Sequence, residues 1–491
     1  MATSKPVPLL RPLLLLLLCL AAPLAAAAPS PQFTWMYGLQ GPGGLESAVS
    51  LGLNTLYLPT TNTADSLEDT QRLVRTAHAR GVQVIIALPT FSQEERSADP
   101  DSADYRDEVG GRMRAVVRFL REEPGVTAWA MGDYPERELR LSPTGWEAFL
   151  QQRYRTLEAL NAAWGTQVPD WGEATLAAAH TADAKLPYGV GRASVDAADY
   201  QADALRRLLV FWAEQVRLMD PDRPLFTGRL ALYRSLVSVP AAYRYVTPEA
   251  PVDVLEPDTV SQNVQAVDMA RQAGAFEVVP SLRVPVPPEP HFLRGATLVR
   301  WIQEAQLHGA RGVALDGVDR ISGCSAPEAV LAALQAAVQA SAGGFTVQPR
   351  ARLAVLYEPY AEGRQAQEVS TYGYLGGLVP GEPSLLISGL RLGSRFGLVD
   401  YLSLERLLAA DLDGYSAILA PCALSLPVEA QAKLRTYVER GGRLVCDFGA
   451  GVQQTGSWQV LPEELARLCG IESLGHMHQQ AGDLTFAAST A

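Results

Sequence analysis

The feature that most restricts how this 491-residue chain folds is an alternation that begins near Phe33. Short apolar runs fall at residues 35–39, 55–58, 82–88, 126–131, 224–227, 252–255, 276–282 and 312–315. Longer stretches with helical spacing separate them. Ser66-Leu-Glu-Asp69 opens one such helix, with Leu67, Leu73, Val74 and Ala77 on one side and Gly81 at its end. Ser325 with Glu328 three residues on reads as a capping box before Val330, Leu331, Leu334 and Val338. Continuous apolar strands between amphipathic helices predict a parallel sheet covered on both faces. Eight units over this length predict a closed (β/α)8 TIM barrel. The alternative is an open doubly wound sheet, against which no G-x-G-x-x-G follows the first strand.

A second α/β unit starts near Arg350. Residues 352–357, 417–421 and 443–446 read as its strands, and Ala430, Leu434, Tyr437 and Val438 form a helix stripe closed by Gly441-Gly442. Cys422 follows a strand without the flanking glycine a nucleophile elbow needs, which argues for a structural role. Cys422 with Cys446 or Cys469 is a candidate bridge that spacing does not decide.

The first residues carry their own pattern. Lys5 and Arg11 precede an apolar run at residues 13–20, and Ala25 to Ala28 follow with small side chains. This is the plan of a secretory signal peptide, with secretion or periplasmic export expected. The run is shorter than the roughly 20 residues of a membrane span. Lipidation at Cys19 is the alternative, against which Leu18 is bulky for such a site. The organisation expected is thus a signal peptide at 1–28, a barrel at 29–345, the second α/β domain at 346–475 and an unassigned tail at 476–491. A net charge of -12 without a Lys/Arg cluster argues against nucleic acid as a partner. The six histidines are dispersed apart from His476-Met-His478, so neither a metal nor a cofactor is expected.

Several segments resemble glycoside hydrolase family 42, the β-galactosidase-like family. Gly52-Leu-Asn-Thr-Leu56 and Gly81-Val-Gln-Val-Ile-Ile-Ala-Leu-Pro-Thr90 resemble its second and third strands. Phe149-Leu-Gln-Gln-Arg-Tyr-Arg-Thr-Leu-Glu-Ala-Leu-Asn-Ala-Ala-Trp-Gly-Thr166 resembles the helix after its fourth strand, the most specific match. Glu214 to Pro224 resembles the approach to its fifth strand. Leu412 to Pro421 and Leu434 to Leu444 resemble its trimerisation domain, which is glutamine-amidotransferase-like in fold and not itself catalytic. The resemblance implies a carbohydrate ligand, a possible homo-oligomer through the second domain, and two catalytic glutamates at the ends of strands four and seven.

The chain departs from that pair. Counting from Trp129 puts Asp133 at the family's Asn and Tyr134 at its acid/base Glu. Asp133 and Glu136 are the nearest carboxylates and the catalytic candidates. In strand seven the nucleophile position falls near Ser281 or Arg283, and Glu277 lies at the wrong end. Tyr37, Trp129, Tyr134, Glu256, Asp258 and Asp316 are the candidate substrate-binding residues, with Phe91 a further aromatic at the same rim. Three functions stand side by side: a secreted glycosidase acting on a β-galactoside or related oligosaccharide, a silent barrel that binds carbohydrate or only assembles, and an amidotransferase-like second domain.

Overall fold

The computed structural model describes residues 33–36, 41–91, 98–182, 192–231, 254–259, 267, 277–283, 302–316, 327–341, 351–356, 398–402, 404–420 and 426–446. The signal-peptide segment, Cys324, Ser325, Cys422, Cys469 and the tail lie outside them.

Each apolar run expected as a strand holds one among the described residues, with 37–39, 252, 253 and 276 lying outside them. The strands are β1 (Phe33–Met36), β2 (Thr55–Pro59), β3 (Gln83–Ala87), β4 (Val126–Ala130), β5 (Leu225–Ala231), β6 (Val254–Thr259), the pair β7 (Glu277–Val278) and β8 (Ser281–Arg283), and β9 (Gly312–Asp316). The seventh run divides at Pro280, which has no N–H to donate to a neighbour. Its carbonyl still accepts from the Ala314 N–H at 2.9 Å. All pairings are parallel, in the order β1-β9-β8-β6-β5-β4-β3-β2, with β7 also on β6. The two ends of this order, β1 and β2, lie against each other. Asn54 joins them, its Oδ1 accepting from the Thr34 N–H at 2.8 Å.

Side chains alternate along each strand. One face gathers Tyr57, Ile85, Ala87, Ala128, Ala130, Phe226, Val279 and Ala314 into a core of its own. The other face turns Leu56, Leu58, Val84, Ile86 and Trp129 into the main core. There they meet α1 (Gly41–Leu51), α2 (Ala64–Ala79), α3 (Ala103–Leu120) and the long α8 (Arg192–Arg217). Helix α2 begins a turn earlier than expected, with Thr63 rather than Ser66 at its N-cap position.

The segment after β4 holds α4 (Pro135–Glu138), α5 (Pro143–Tyr154), α6 (Leu157–Trp164), α7 (Leu176–Ala182) and α8 (Arg192–Arg217). It contains the most specific sequence match, and that match builds structure. Thr156 caps α6 by accepting from the Ala159 N–H, and Gly165 ends it at φ 66°. Trp146, Leu150, Leu160, Trp164 and Tyr200 form a separate core. Beside it Asp196, fully buried, accepts from the Trp164 indole at 2.8 Å and pairs with Arg153 and Arg192 at 3.2 and 3.1 Å.

Four further strands form a second parallel sheet, β11-β10-β12-β13: β10 (Leu353–Leu356), β11 (Val399–Leu402), β12 (Ala417–Ala420) and β13 (Leu444–Cys446). Strand β11 is not among the strands expected from the sequence. Helix α11 (Val428–Glu439) buries Ala430, Leu434 and Tyr437 as expected, and follows α9 (Pro327–Ser341) and α10 (Leu404–Ala409). The molecule is therefore an α/β protein built on two parallel sheets.

The turn from α8 into β5 is fixed by Asp220. Its carboxylate accepts from the Trp129 indole N–H at 3.0 Å and pairs with Arg223, whose Nε donates to the Val126 carbonyl at 2.7 Å. Burial works to raise the Asp220 carboxyl, but the hydrogen bonds from Arg223 and Trp129 outweigh it and hold it below its ordinary 3.8. Such a group contributes stability that is complete above its unfolded pKa and is lost as pH falls through the folded one. Asp220→Asn is expected to cost about 1–3 kcal/mol near neutral pH. In urea titrations the gap to wild type should shrink as pH falls below 3.8; a gap independent of pH would contradict this account.

Candidate functional site

The strand ends of β4, β5 and β9 bring together Asp133, Tyr134, Arg229 and Asp316. The approach of the end of β4 to β5 is close because β5 carries glycine there. Gly228 has φ +74°, and a Cβ on it would lie 2.7 Å from the carbonyl oxygens of Met131 and Gly132. A Cβ on Gly132 would strike Thr90 Oγ1 and the Phe91 ring. This packing sets Arg229 directly beside Asp133.

Asp133 is engaged on both oxygens. Oδ1 accepts from the Tyr57 hydroxyl at 3.1 Å and the Arg229 backbone N–H at 3.0 Å. Oδ2 accepts from Arg229 Nε at 3.0 Å and Nη2 at 2.8 Å. A carboxylate has about four acceptor positions, and these donors take them. The other terminal nitrogen of Arg229, Nη1, lies 3.6 Å from Asp316 Oδ2. One guanidinium thus stands between two carboxylates from different strands. Burial works against its charge, yet Asp133, Tyr134 and Asp316 together raise its pKa above the ordinary value. Tyr57 is buried, and that burial, followed by the Asp133 charge, pushes its hydroxyl well above the usual range. It remains a proton-bearing donor.

Tyr134 has left-handed backbone angles, φ 56° and ψ 50°, which L residues other than Asn and Asp adopt rarely. Its N–H donates to the Arg229 carbonyl at 2.6 Å, and the Arg229 guanidinium carbon lies 4.9 Å from the centre of its ring.

Other expected residues fall variously. Trp129 requires correction: it is fully buried, on the helix-covered face, with its indole on Asp220. The reason is parity, since Ala128 and Ala130 take the opposite face. Phe91 likewise packs edge-on against Trp212 at 5.8 Å. Glu277 sits at the start of β7 and pairs with Arg311 at 2.9 Å, away from the strand ends that hold Asp133. On β6, Glu256 is the register partner of Arg229 and Asp258 that of Ala231. Their side chains, that of Glu136 in α4 and all of Tyr37 lie outside the described residues. Among the described residues no group of three His, Cys, Asp or Glu is placed to hold a metal ion.

Arg229 and Tyr57 are absent from the sequence reading. A signal for Arg229 existed: it is a lone charge just past Gly228, in a run otherwise apolar to Ala231.

No family model and no curated protein matches the sequence. Solved structures do match. A β-galactosidase from Bacillus circulans sp. alkalophilus superposes with a TM-score of 0.67 at 16% identity, covering 89% of this chain and 74% of that one. A β-galactosidase from the haloarchaeon Halorubrum lacusprofundi gives 0.66 at 16%, covering 89% and 76%. Gan42B, a GH42 β-galactosidase from G. stearothermophilus, gives 0.67 at 16%, covering 86% and 71%. The chain shares the fold of these β-galactosidases. The resemblance read from the sequence thus stands at the level of fold.

The close approach of β4 to β5 is testable. Gly228→Ala should destabilise the protein by about 2–4 kcal/mol through positive φ and backbone overlap. Gly43→Ala, in α1 with open space around it, should be neutral or stabilising by up to about 1 kcal/mol. Equal urea midpoints for the two variants would refute the packing argument.

Proposed function

We propose that this chain is a glycoside hydrolase-like (β/α)8 barrel that binds a β-galactoside or related oligosaccharide at the C-terminal strand ends. On this reading it hydrolyses such sugars weakly or not at all by the two-glutamate route. The observation that carries the reading is the filled Asp133 carboxylate. General acid–base catalysis needs a group free to exchange a proton with the leaving oxygen. Asp133 gives its acceptor positions to Tyr57 and Arg229. Tyr134, next along, has a hydroxyl with a reference pKa of about 10 and is a poor donor to a glycosidic oxygen. A retaining hydrolase further needs two carboxyl groups about 5 Å apart around the sugar, and here a guanidinium stands between Asp133 and Asp316. In this proposal Asp133 organises the site, while Tyr134, Glu256, Asp258 and Asp316 meet the sugar, with Tyr37 from the first strand.

A second reading is hydrolysis by displaced carboxylates, with Glu136 or Glu256 transferring the proton. The register of Glu256 with Arg229 favours it. The same proposal holds the second sheet to be a glutamine-amidotransferase-like domain that mediates homo-oligomer assembly. It also holds the chain to be exported and cleaved in the Ala25 to Ala28 run, which mass spectrometry of the mature N-terminus tests.

The deciding assay uses an aryl β-galactoside with wild type, Glu136→Gln, Glu256→Gln and Asp258→Asn. Turnover should lie at least about 100-fold below that of a two-glutamate enzyme, with no variant abolishing what remains, while calorimetry detects binding of a thio-β-galactoside. Robust turnover abolished by one substitution would replace the binding reading with the displaced-carboxylate one.

A further inference from the structure

Arg229 does more than neutralise Asp133, because its contacts run along two consecutive residues. Its guanidinium and backbone N–H hold the Asp133 side chain. Its carbonyl holds the Tyr134 N–H, and its guanidinium lies against the Tyr134 ring. Tyr134 meanwhile keeps a left-handed backbone that a tyrosine does not adopt without support. A strained residue persists where its surroundings over-determine it, and Arg229 contributes two contacts to those surroundings, one to the backbone and one to the ring. What the strain delivers is a half-buried aromatic ring, fixed over a cation, at the group of strand ends that also carries Asp133 and Asp316.

The apolar face of a pyranose packs on such a ring, and a ring that is already fixed loses little freedom when the sugar arrives. We propose that Tyr134 is the stacking platform for a pyranose and that Arg229 is the positioning residue that holds it there. This rests on the carbohydrate-binding reading above and adds which side chain determines recognition of the sugar ring and which one sets its geometry. The substrate class that follows is a pyranoside with one continuous apolar face, as β-galactosides have.

The test is calorimetric titration of the full chain with a non-hydrolysable aryl thio-β-galactoside. Tyr134→Gly removes the ring while relieving the left-handed backbone, so it should fold at least as well as wild type and bind about ten-fold more weakly. Tyr134→Phe keeps the ring and should bind within about two-fold of wild type. Arg229→Met should also weaken binding about ten-fold, and the double variant Tyr134→Gly/Arg229→Met should bind no more weakly than Tyr134→Gly alone. A purely structural role for Arg229 would instead add its loss to the double variant. Should Arg229→Met fail to fold, Arg229→Lys replaces it in the same comparison. Wild-type binding unchanged in Tyr134→Gly, or additive losses in the double variant, would overturn the inference while leaving the carbohydrate reading in place. Absence of binding by wild type would remove the carbohydrate reading itself.

Discussion

The contact between Asp133 and Arg229 is the constraint on which the site depends. Two guanidinium N–H groups donate to one carboxylate oxygen, the Arg229 backbone N–H donates to the other, and the pair is partly withdrawn from water. Removing one member of such a pair leaves the other charge without its partner, a penalty that usually exceeds what the intact pair contributes. The pair therefore acts less as a source of stability than as a choice of geometry. It sets the end of β4 against the end of β5, draws Tyr57 onto the same carboxylate, and leaves Asp316 on the far side of the guanidinium. The glycine at 228 follows from this, since a side chain there would push the two strand ends apart, and the glycine at 132 lets the same turn pack against Thr90 and Phe91.

The chemistry follows from the same contact. Hydrolysis of a glycosidic bond asks one carboxyl group to donate a proton and another to attack the sugar. A carboxylate committed to four donors is suited to neither task, although it is well suited to hold its neighbours still. Turnover and recognition of a sugar are thus separate proposals for the site, and the engaged Asp133 carboxylate favours the second. Fold alone does not decide between them, because function resides in the site.

Much of the architecture was legible in the sequence because apolar runs and helical stretches alternate without interruption from Phe33 to Asp316. The run at 276–282 was legible as one strand, and Pro280 divides it. Strand β11 was missed because Asp400 stands in its middle; the charge is buried and accepts from the Tyr415 hydroxyl at 2.8 Å. The site was less legible. In a parallel sheet both faces of a strand are apolar, so nothing in the Ala128-Trp129-Ala130 run says which face the tryptophan takes. Arg229 was missed because Gly228 reads as the end of a strand, whereas its positive φ carries the strand onward to Ala231. The departure at Tyr134 was read only by setting the spacing from Trp129 against the motif of the resembled family. Its strained backbone was not legible, because that strain is imposed by a partner 95 positions away in the chain.

The measurement that bears most directly on this account is a crystal structure of the protein soaked with a non-hydrolysable thio-β-galactoside. The account predicts a sugar at the ends of β4, β5 and β9, with Arg229 still bound to both oxygens of Asp133. A complex in which Arg229 has left Asp133, and the freed carboxylate lies within hydrogen-bond distance of the glycosidic sulfur, would contradict it.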